Sequence, residues 1–129
     1  MGKVTGFGGI FVKSKNSADL KKWYGAHLGI PVDDYGATFK FRDHKNPEKE
    51  GYSVWGLFKE DTKYFDPSNK EFMINFRVED LDDLLKSLEA AGIKQVGKME
   101  EYDYGRFAWI IDPEGTKIEL WEPGECSPE

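Results

Sequence analysis

The stretch FAWIIDPEGTKIELW, residues 107–121, predicts a β-hairpin with one carboxylate among apolar side chains. Its centre, Asp-Pro-Glu-Gly at 112–115, has the residue types of a tight turn, and β-branched and aromatic residues flank it. Side chains alternate between the two faces of a strand, so Glu119 and Trp121 share one face. A turn centred there places Trp109 opposite Glu119. Glu119 is therefore either an ordinary edge charge or the floor of a site.

The composition of the 129-residue chain predicts one globular domain, residues 1–129, with 39% hydrophobic and 33% charged residues. No apolar run approaches the ~20 residues that cross a bilayer, and the N-terminus lacks a signal-peptide pattern. We therefore expect no membrane association. The single cysteine, Cys126, lies in a polar tail and cannot form an internal disulfide, which favours a cytoplasmic location.

The net charge of −6 argues against a nucleic-acid partner. Phosphate contacts need a basic surface, and the sequence contains no cluster of lysine or arginine. A neutral or cationic small molecule remains electrostatically acceptable.

The periodicity of apolar residues predicts two helices among short strands. The first helix should bury a stripe formed by Leu20, Trp23, Tyr24, His27 and Leu28. The connector at 60–70 contains adjacent aromatics, Tyr64 and Phe65, which pack as a plug or cover a pocket. The predicted elements are strand 4–13, a helix from Asn16 or Ser17 to Leu28, strands 37–43, 52–58 and 72–78, a helix from Asp80 to Gly92, strands 93–96 and 99–104, and the hairpin.

The order of strand, helix and short strands occurs twice, with an offset of about 65 residues. Repeat one covers about 4–60 and repeat two about 71–123. Each half is too small to bury its own sheet. We therefore predict an α+β fold in which two βαβββ repeats form a curved mixed sheet around a central cavity, with the helices on the outer face.

Five short motifs resemble those of the vicinal oxygen chelate superfamily. Its members include glyoxalase I, extradiol dioxygenases, methylmalonyl-CoA epimerase, and bleomycin- and fosfomycin-resistance proteins. The resemblance covers nearly all of the chain, is specific for the fold, and implies a homodimer. The motifs are Gly-Gly-Ile-Phe-Val-Lys at 8–13, Trp23-Tyr24, Leu28-Gly29, Tyr104-Gly105, and Asp-Pro-Glu-Gly at 112–115 followed by Ile-Glu-Leu at 118–120.

Enzymes of that superfamily usually hold a divalent metal with His, Gln or Glu from the inward faces of the two halves. The resemblance places Phe7, Trp55, Met73 and Glu119 at these positions. Only Glu119 has a donor suited to a divalent cation, and a stable site needs three or more protein ligands. The sequence therefore predicts no metal and no cofactor.

In place of metal ligands, the sequence predicts an aromatic-lined site for a small organic ligand around Glu119. Mostly apolar walls with a few polar groups are typical of such sites. The alternative is that the aromatics fill the cavity and Glu119 pairs with Arg77 or Lys117. Tyr102, Tyr104 and Arg106 are placed at the cavity mouth, where they contact a ligand or form a solvated edge. The predicted ligand-binding residues are Phe7, Phe11, Trp55, Met73, Asn75, Arg77, Trp109 and Trp121.

Three functions remain open from the sequence. The first is a metal-independent small-molecule-binding protein, as the resemblance to the drug-sequestering members implies. The second is a lyase or isomerase in which Glu119 is the catalytic base, because burial raises the pKa of a carboxyl group. The third is a metal-dependent glyoxalase or dioxygenase.

Overall fold

The computed structural model describes residues 2–124, so Cys126 lies outside the described residues. Strands and helices alternate as the sequence predicts, and the α+β class is confirmed. The elements are β1 (Lys3–Ser14), α1 (Ser17–Leu28), β2 (Gly36–Arg42), β3 (Glu50–Lys59), β4 (Phe72–Glu79), α2 (Leu81–Ala90), β5 (Glu100–Tyr102), β6 (Gly105–Ile111) and β7 (Lys117–Pro123).

All seven strands form one mixed sheet in the order β2-β3-β1-β4-β7-β6-β5. The antiparallel pair β1 and β4 lies at its centre. β3 runs parallel to β1, and β7 runs parallel to β4, so each half places its last strand beside its first. The first half is βαββ and the second is βαβββ, so the structure does not reproduce two βαβββ repeats in full. Residues 60–70 connect the halves as a loop.

The two faces of the sheet bury separate clusters of apolar residues. α2 covers one face, where Leu81 is fully buried and contributes about 1.5–3 kcal/mol. The opposite face carries an aromatic cluster that includes Phe65 from the 60–70 loop. The first cluster is Val78, Leu81, Ala108, Ile118 and Leu120, and the aromatic cluster is Tyr52, Phe65, Met73, Phe107, Trp109 and Trp121.

The predicted buried stripe of α1 is wrong. No side chain of this helix is buried, and Trp23 and Leu28 are 52% and 58% exposed. The physical reason is that α1 reaches the sheet chiefly through Tyr24, whose ring lies 4.5 Å from that of Trp55 on β3. The predicted ends are correct: Asn16 accepts from the Asp19 amide, and Gly29 ends the helix in the left-handed region.

The predicted strand 93–96 does not form. Gly92 and Gly97, with φ of 84° and 73°, turn the chain on both sides of it. One backbone hydrogen bond joins this segment to a strand: the Val96 amide donates to the Trp109 carbonyl at 2.8 Å. Within residues 2–124, neither helix is long and apolar enough to cross a membrane.

The hairpin of β6 and β7 forms in the predicted register. Trp109 pairs with Glu119, and Ile111 pairs with Lys117. The Asp112 carboxylate accepts from the amides of Glu114 and Thr116 and holds the turn closed. The local turn chemistry therefore sets the position of Glu119.

Candidate functional site

A cavity of about 210 Å³ lies on the sheet face that carries the aromatic cluster. Six of its lining residues are aromatic, and the two that are neither aromatic nor aliphatic are Asn75 and Glu119. A second cavity, of about 430 Å³, shares Phe11 and Val54 with the first. The first is lined by Phe11, Tyr52, Val54, Tyr64, Asn75, Tyr104, Phe107, Glu119 and Trp121.

Glu119 lies at the centre of this face because three strands aim side chains at one point. On β7, alternation turns Glu119 and Trp121 toward the aromatic cluster. On β4, Asn75 is the register partner of Glu119, and on β6 the partner is Trp109. Partners across neighbouring strands share a face, so both side chains reach the carboxylate.

The Glu119 carboxylate is 2% exposed and accepts three side-chain hydrogen bonds. Asn75 Nδ2 donates to Oε1 at 2.5 Å. Trp109 Nε1 donates to Oε2 at 2.8 Å, and the Tyr64 hydroxyl also donates to Oε2. Indole and amide N–H groups only donate, so this environment fits the ionised carboxylate.

The 60–70 loop supplies Tyr64 and is attached to β7 and the hairpin turn at several points. Lys117 Nζ donates to the Tyr64 carbonyl at 2.6 Å, and Ser68 Oγ donates to the Gly115 carbonyl at 2.6 Å. Phe65 next to it is fully buried. The loop is therefore both a plug, through Phe65, and a wall of the cavity, through Tyr64.

Burial dominates the electrostatics of the site. It raises the pKa of Glu119 above its usual value, while the three hydrogen bonds and Lys117 act in the opposite direction. Burial lowers the pKa of Lys117, whereas the negative charge of Glu119 acts to raise it. Burial and the nearby Glu119 charge raise the pKa of Tyr64, which keeps its hydroxyl protonated as a donor.

The raised pKa of Glu119 predicts a pH dependence of stability. A carboxyl group with a folded-state pKa above its unfolded value, 4.5, stabilises the fold fully below that value. The contribution is lost as the pH rises through the folded-state pKa. We expect the free energy of unfolding of the wild type, relative to Glu119→Gln, to fall as the pH rises from 4.5 through the folded-state pKa, by about 1.4 kcal/mol for each unit that separates the two pKa values. Urea unfolding at several pH values measures it, and a relative stability that grows with pH would contradict it.

Two buried polar atoms of lining residues have no hydrogen-bond partner among residues 2–124. They are the Tyr52 hydroxyl and Asn75 Oδ1. Burial raises the pKa of Tyr52 to about 12, so the hydroxyl keeps its proton. Buried polar groups are normally satisfied, so these two unpartnered atoms distinguish this face of the sheet. A Cβ at Gly8 would meet Asn75 Oδ1 at 1.8 Å, so that oxygen faces β1.

The eight predicted ligand-binding residues fall into three groups. Phe11, Asn75 and Trp121 line the cavity. Met73 and Trp109 are buried behind the lining in the aromatic cluster. Arg77 lies behind it too: its Nη1 donates to the Tyr52 carbonyl, and its guanidinium lies 4.9 Å from the Trp121 ring. The remaining two, Phe7 and Trp55, lie on the other face of the sheet.

The predicted position of Phe7 in the cavity is wrong. A bulge between Phe7 and Gly9 shifts the alternation of β1, so two β1 residues lie opposite Asn75. Gly8 takes the inward position, since a Cβ there would meet Asn75 Oδ1 at 1.8 Å. Phe7 pairs with Phe76, and its ring packs edge-on against that ring at 6.1 Å.

The predicted position of Trp55 in the cavity is wrong by one residue. The parallel register of β1 and β3 pairs Gly9 with Val54, and Val54 lines the cavity. Trp55 therefore points to the opposite face, where it packs against Tyr24 of α1. The prediction placed Trp55 at the position in the first half that corresponds to Glu119, whereas Val54 is the residue that faces the cavity.

Arg106 was predicted at the cavity mouth, but it is not among the residues that line the cavity. Its guanidinium forms ion pairs with Asp82 at 2.7 Å, Glu122 at 3.1 Å and Glu101 at 3.5 Å. Tyr104 does line the cavity, and its ring stacks on that of Tyr102. Carboxylates at the protein surface therefore hold the Arg106 guanidinium.

Five lining residues were absent from the predicted ligand-binding set. Alternation from Val54 along β3 identifies Tyr52, once the register is known. The paired aromatics of the 60–70 loop indicate Tyr64, although nothing in the sequence connects that loop to Glu119. The five are Tyr52, Val54, Tyr64, Tyr104 and Phe107.

The residues around Glu119 do not fit a divalent metal. Its neighbours offer a phenol, an amide and an indole N–H, all of which already donate to it. The inward positions on the first half are Gly8 and Val54, which have no donor side chain. Within residues 2–124, no group of three His, Cys, Asp or Glu side chains is placed to hold a metal ion.

The sequence over residues 9–121 matches a family model described as a glyoxalase-like domain. The chain belongs to this family. The resemblance to the glyoxalase, bleomycin resistance and dioxygenase superfamily is thereby confirmed. No curated protein matches the sequence.

Solved structures with this fold are similar at low sequence identity. Methylmalonyl-CoA epimerase from Streptomyces coelicolor, in complex with 2-nitronate-propionyl-CoA, has a TM-score of 0.69 and 18% identity, over 96% of this chain and 100% of that chain. The Mycobacterium tuberculosis epimerase has a TM-score of 0.59 and 20% identity, over 97% and 90%. The Mn(II)-bound glyoxalase from Novosphingobium aromaticivorans has a TM-score of 0.58 and 20% identity, over 100% of this chain and 43% of that chain.

Proposed function

We propose that the protein is a metal-independent binder of a small organic molecule, held in the aromatic-lined cavity around Glu119. One observation carries the proposal: the cavity is lined by six aromatic residues and one aliphatic residue, with Asn75 and Glu119 as its other lining residues. Mostly apolar walls with few polar groups are characteristic of ligand sites.

The absence of a metal from this proposal rests on donor chemistry. Among residues 2–124, Glu119 is the one carboxylate of the lining, and no histidine or cysteine lines the cavity. Metal ions of the kind that the superfamily uses need several such ligands.

A perturbation experiment tests the proposal. We expect benzyl alcohol, a compact neutral aromatic probe, to shift the NMR signals of the Trp109 and Trp121 indole N–H groups and the Asn75 side-chain amide. All three groups lie at or directly behind the lining. The indole signal of Trp23, which is half-exposed on α1, is the internal control. Shifts confined to Trp23, or no shifts at millimolar probe, would contradict the proposal.

The alternative is a lyase or isomerase that uses Glu119 as a base. The raised pKa of the buried carboxyl group favours it. Glu119 would take a proton from a carbon next to a carbonyl group and leave an enolate. The three donors that hold the carboxylate weigh against it, because each one lowers its basicity.

Substitution of Glu119 separates the two functions. Glu119→Gln keeps the shape and removes the base, so an enzyme should lose turnover by about 100-fold or more. A binder of neutral ligands should keep its affinity for benzyl alcohol. Deuterium exchange into methylmalonyl-CoA in D₂O, followed by NMR, is a suitable assay, given the structural likeness to epimerases. Exchange by the wild type that Glu119→Gln abolishes would favour the enzyme.

We further propose a single domain of two repeats, a cytoplasmic location and a homodimer. Exposed apolar side chains on α1, Trp23 and Leu28, support an interface there. Analytical ultracentrifugation of the wild type and of Trp23→Glu measures the oligomeric state.

A further inference from the structure

We propose that the cavity binds a protonated primary or secondary amine that carries a small apolar or aromatic group. In this assignment, an ammonium N–H group donates to Glu119 Oε1, and the aromatic rings of the lining surround the charge. The inference rests on the proposed function and specifies the chemical class of its ligand.

The hydrogen-bonding capacity left open at the Glu119 carboxylate is that of an acceptor, whereas the unpartnered Tyr52 hydroxyl can donate or accept. Each carboxylate oxygen can accept about two hydrogen bonds. Glu119 Oε2 already accepts from Tyr64 and Trp109, whereas Oε1 accepts from Asn75 alone. One position on Oε1 is therefore available to a ligand donor.

The orientation of the Asn75 amide follows from its neighbour. Nδ2 donates to Glu119, and the reverse orientation would set two acceptor oxygens against each other. Oδ1 is consequently turned away from the carboxylate, and it is buried without a donor among residues 2–124. A Cβ at Gly8 would lie 1.8 Å from this oxygen, so it faces β1, and the open acceptor position of the site is the one on Glu119 Oε1.

The walls of the cavity favour a cation over an anion. Six aromatic rings line it, and the face of an aromatic ring attracts positive charge. No lysine or arginine is among the lining residues. Lys117 approaches from behind the Tyr64 and Trp109 rings, where its Nζ donates to the Tyr64 carbonyl. It therefore stabilises the carboxylate without occupying the cavity.

These features distinguish a primary or secondary ammonium group from its close relatives. A quaternary ammonium group keeps the charge but has no N–H to donate to Glu119 Oε1. An alcohol has one donor and no charge. A carboxylate would face both Glu119 and the rings at a cost in electrostatic energy. The volume of about 210 Å³ limits the ligand to a compact molecule, and a longer substituent would extend past Phe11 and Val54 into the second cavity.

Isothermal titration calorimetry of the wild-type protein at neutral pH tests the inference with four probes. They are benzylammonium, benzyl alcohol, benzyltrimethylammonium and benzoate. We expect benzylammonium to bind about tenfold or more tightly than the alcohol and the quaternary ion, and benzoate to bind most weakly. This series needs no variant, so its outcome does not depend on the folding of one.

Two variants then assign the contacts. Asn75→Leu, similar in size, removes the amide that holds Glu119 Oε1 in place, and Glu119→Gln removes the charge. Each should reduce the preference for benzylammonium over benzyl alcohol to about twofold or less. Phe39→Ala, on the edge strand β2, should leave the preference unchanged.

The outcomes separate this inference from the proposed function. If benzyl alcohol or benzoate binds as tightly as benzylammonium, the amine assignment is overturned and small-molecule binding stands. If none of the four probes binds at millimolar concentration, both are overturned. An unchanged preference in Asn75→Leu and Glu119→Gln would also overturn the amine assignment.

Discussion

Replacing Phe65 by alanine should lower the free energy of unfolding by about 3–5 kcal/mol. The side chain is fully buried, and its ring lies 5.3 Å from that of Phe58 and 5.6 Å from Lys13 Nζ. Truncation leaves a cavity in the aromatic cluster that the rigid strands around it cannot close. Such a loss is a large share of the 5–15 kcal/mol that typically stabilises a domain.

The matched control for this substitution is Phe39→Ala. Phe39 lies on the edge strand β2 and is 41% exposed, so its loss should cost about 1 kcal/mol or less. Urea unfolding of both variants measures the difference. Equal losses would mean that the 60–70 loop does not pack against the sheet in solution, and Tyr64 would then not hold Glu119.

The hairpin was predictable because its determinants are local. The turn at 112–115, the alternation of β7 and the pairing of Trp109 with Glu119 all follow from neighbouring residues. The same holds for the ends of α1, where Asn16 and Gly29 have the expected capping roles. These features correctly placed Glu119, Trp121 and Trp109 on one face.

The errors at Phe7 and Trp55 have one physical origin. A strand's inward face is set by its partner, and β1 takes its partners from segments far along the chain. The bulge at Gly8 and Gly9 reverses the alternation of β1 without a change in the apolar pattern. The two glycines marked the bulge in the sequence, but not the side to which Phe7 would turn.

The partners of Glu119 show a second limit of prediction from the sequence. Asn75 is predictable from strand alternation, whereas Tyr64 lies 55 residues away on an irregular loop. The choice between a filled and an open cavity also depends on side-chain packing. Arg77, a predicted partner of Glu119, instead packs against the Trp121 ring, which leaves Asn75 and Tyr64 to satisfy the carboxylate.

Replacing Gly8 by alanine should disrupt the floor of the cavity. A Cβ at this position would lie 1.8 Å from Asn75 Oδ1, 2.9 Å from its Cγ and 3.2 Å from the Trp121 ring. The Asn75 amide must move, and its hydrogen bond to the buried Glu119 carboxylate is lost. We expect a loss of about 1–3 kcal/mol in the free energy of unfolding. Affinity for benzylammonium should fall by about tenfold or more, which calorimetry measures.

A double-mutant cycle identifies Asn75 as the cause. In an Asn75→Ala background the amide is absent, so Gly8→Ala should cost little, and the coupling energy should approach the full cost of the single substitution. Gly6→Ala is the control on the same strand, because a Cβ there meets nothing within 4 Å. Additive effects of Gly8→Ala and Asn75→Ala would place the strain elsewhere on β1 and contradict the close approach of Gly8 to the amide. A coupled result would instead mean that the glycine is needed to make room for Asn75, whose amide holds the Glu119 oxygen that we propose binds the ligand.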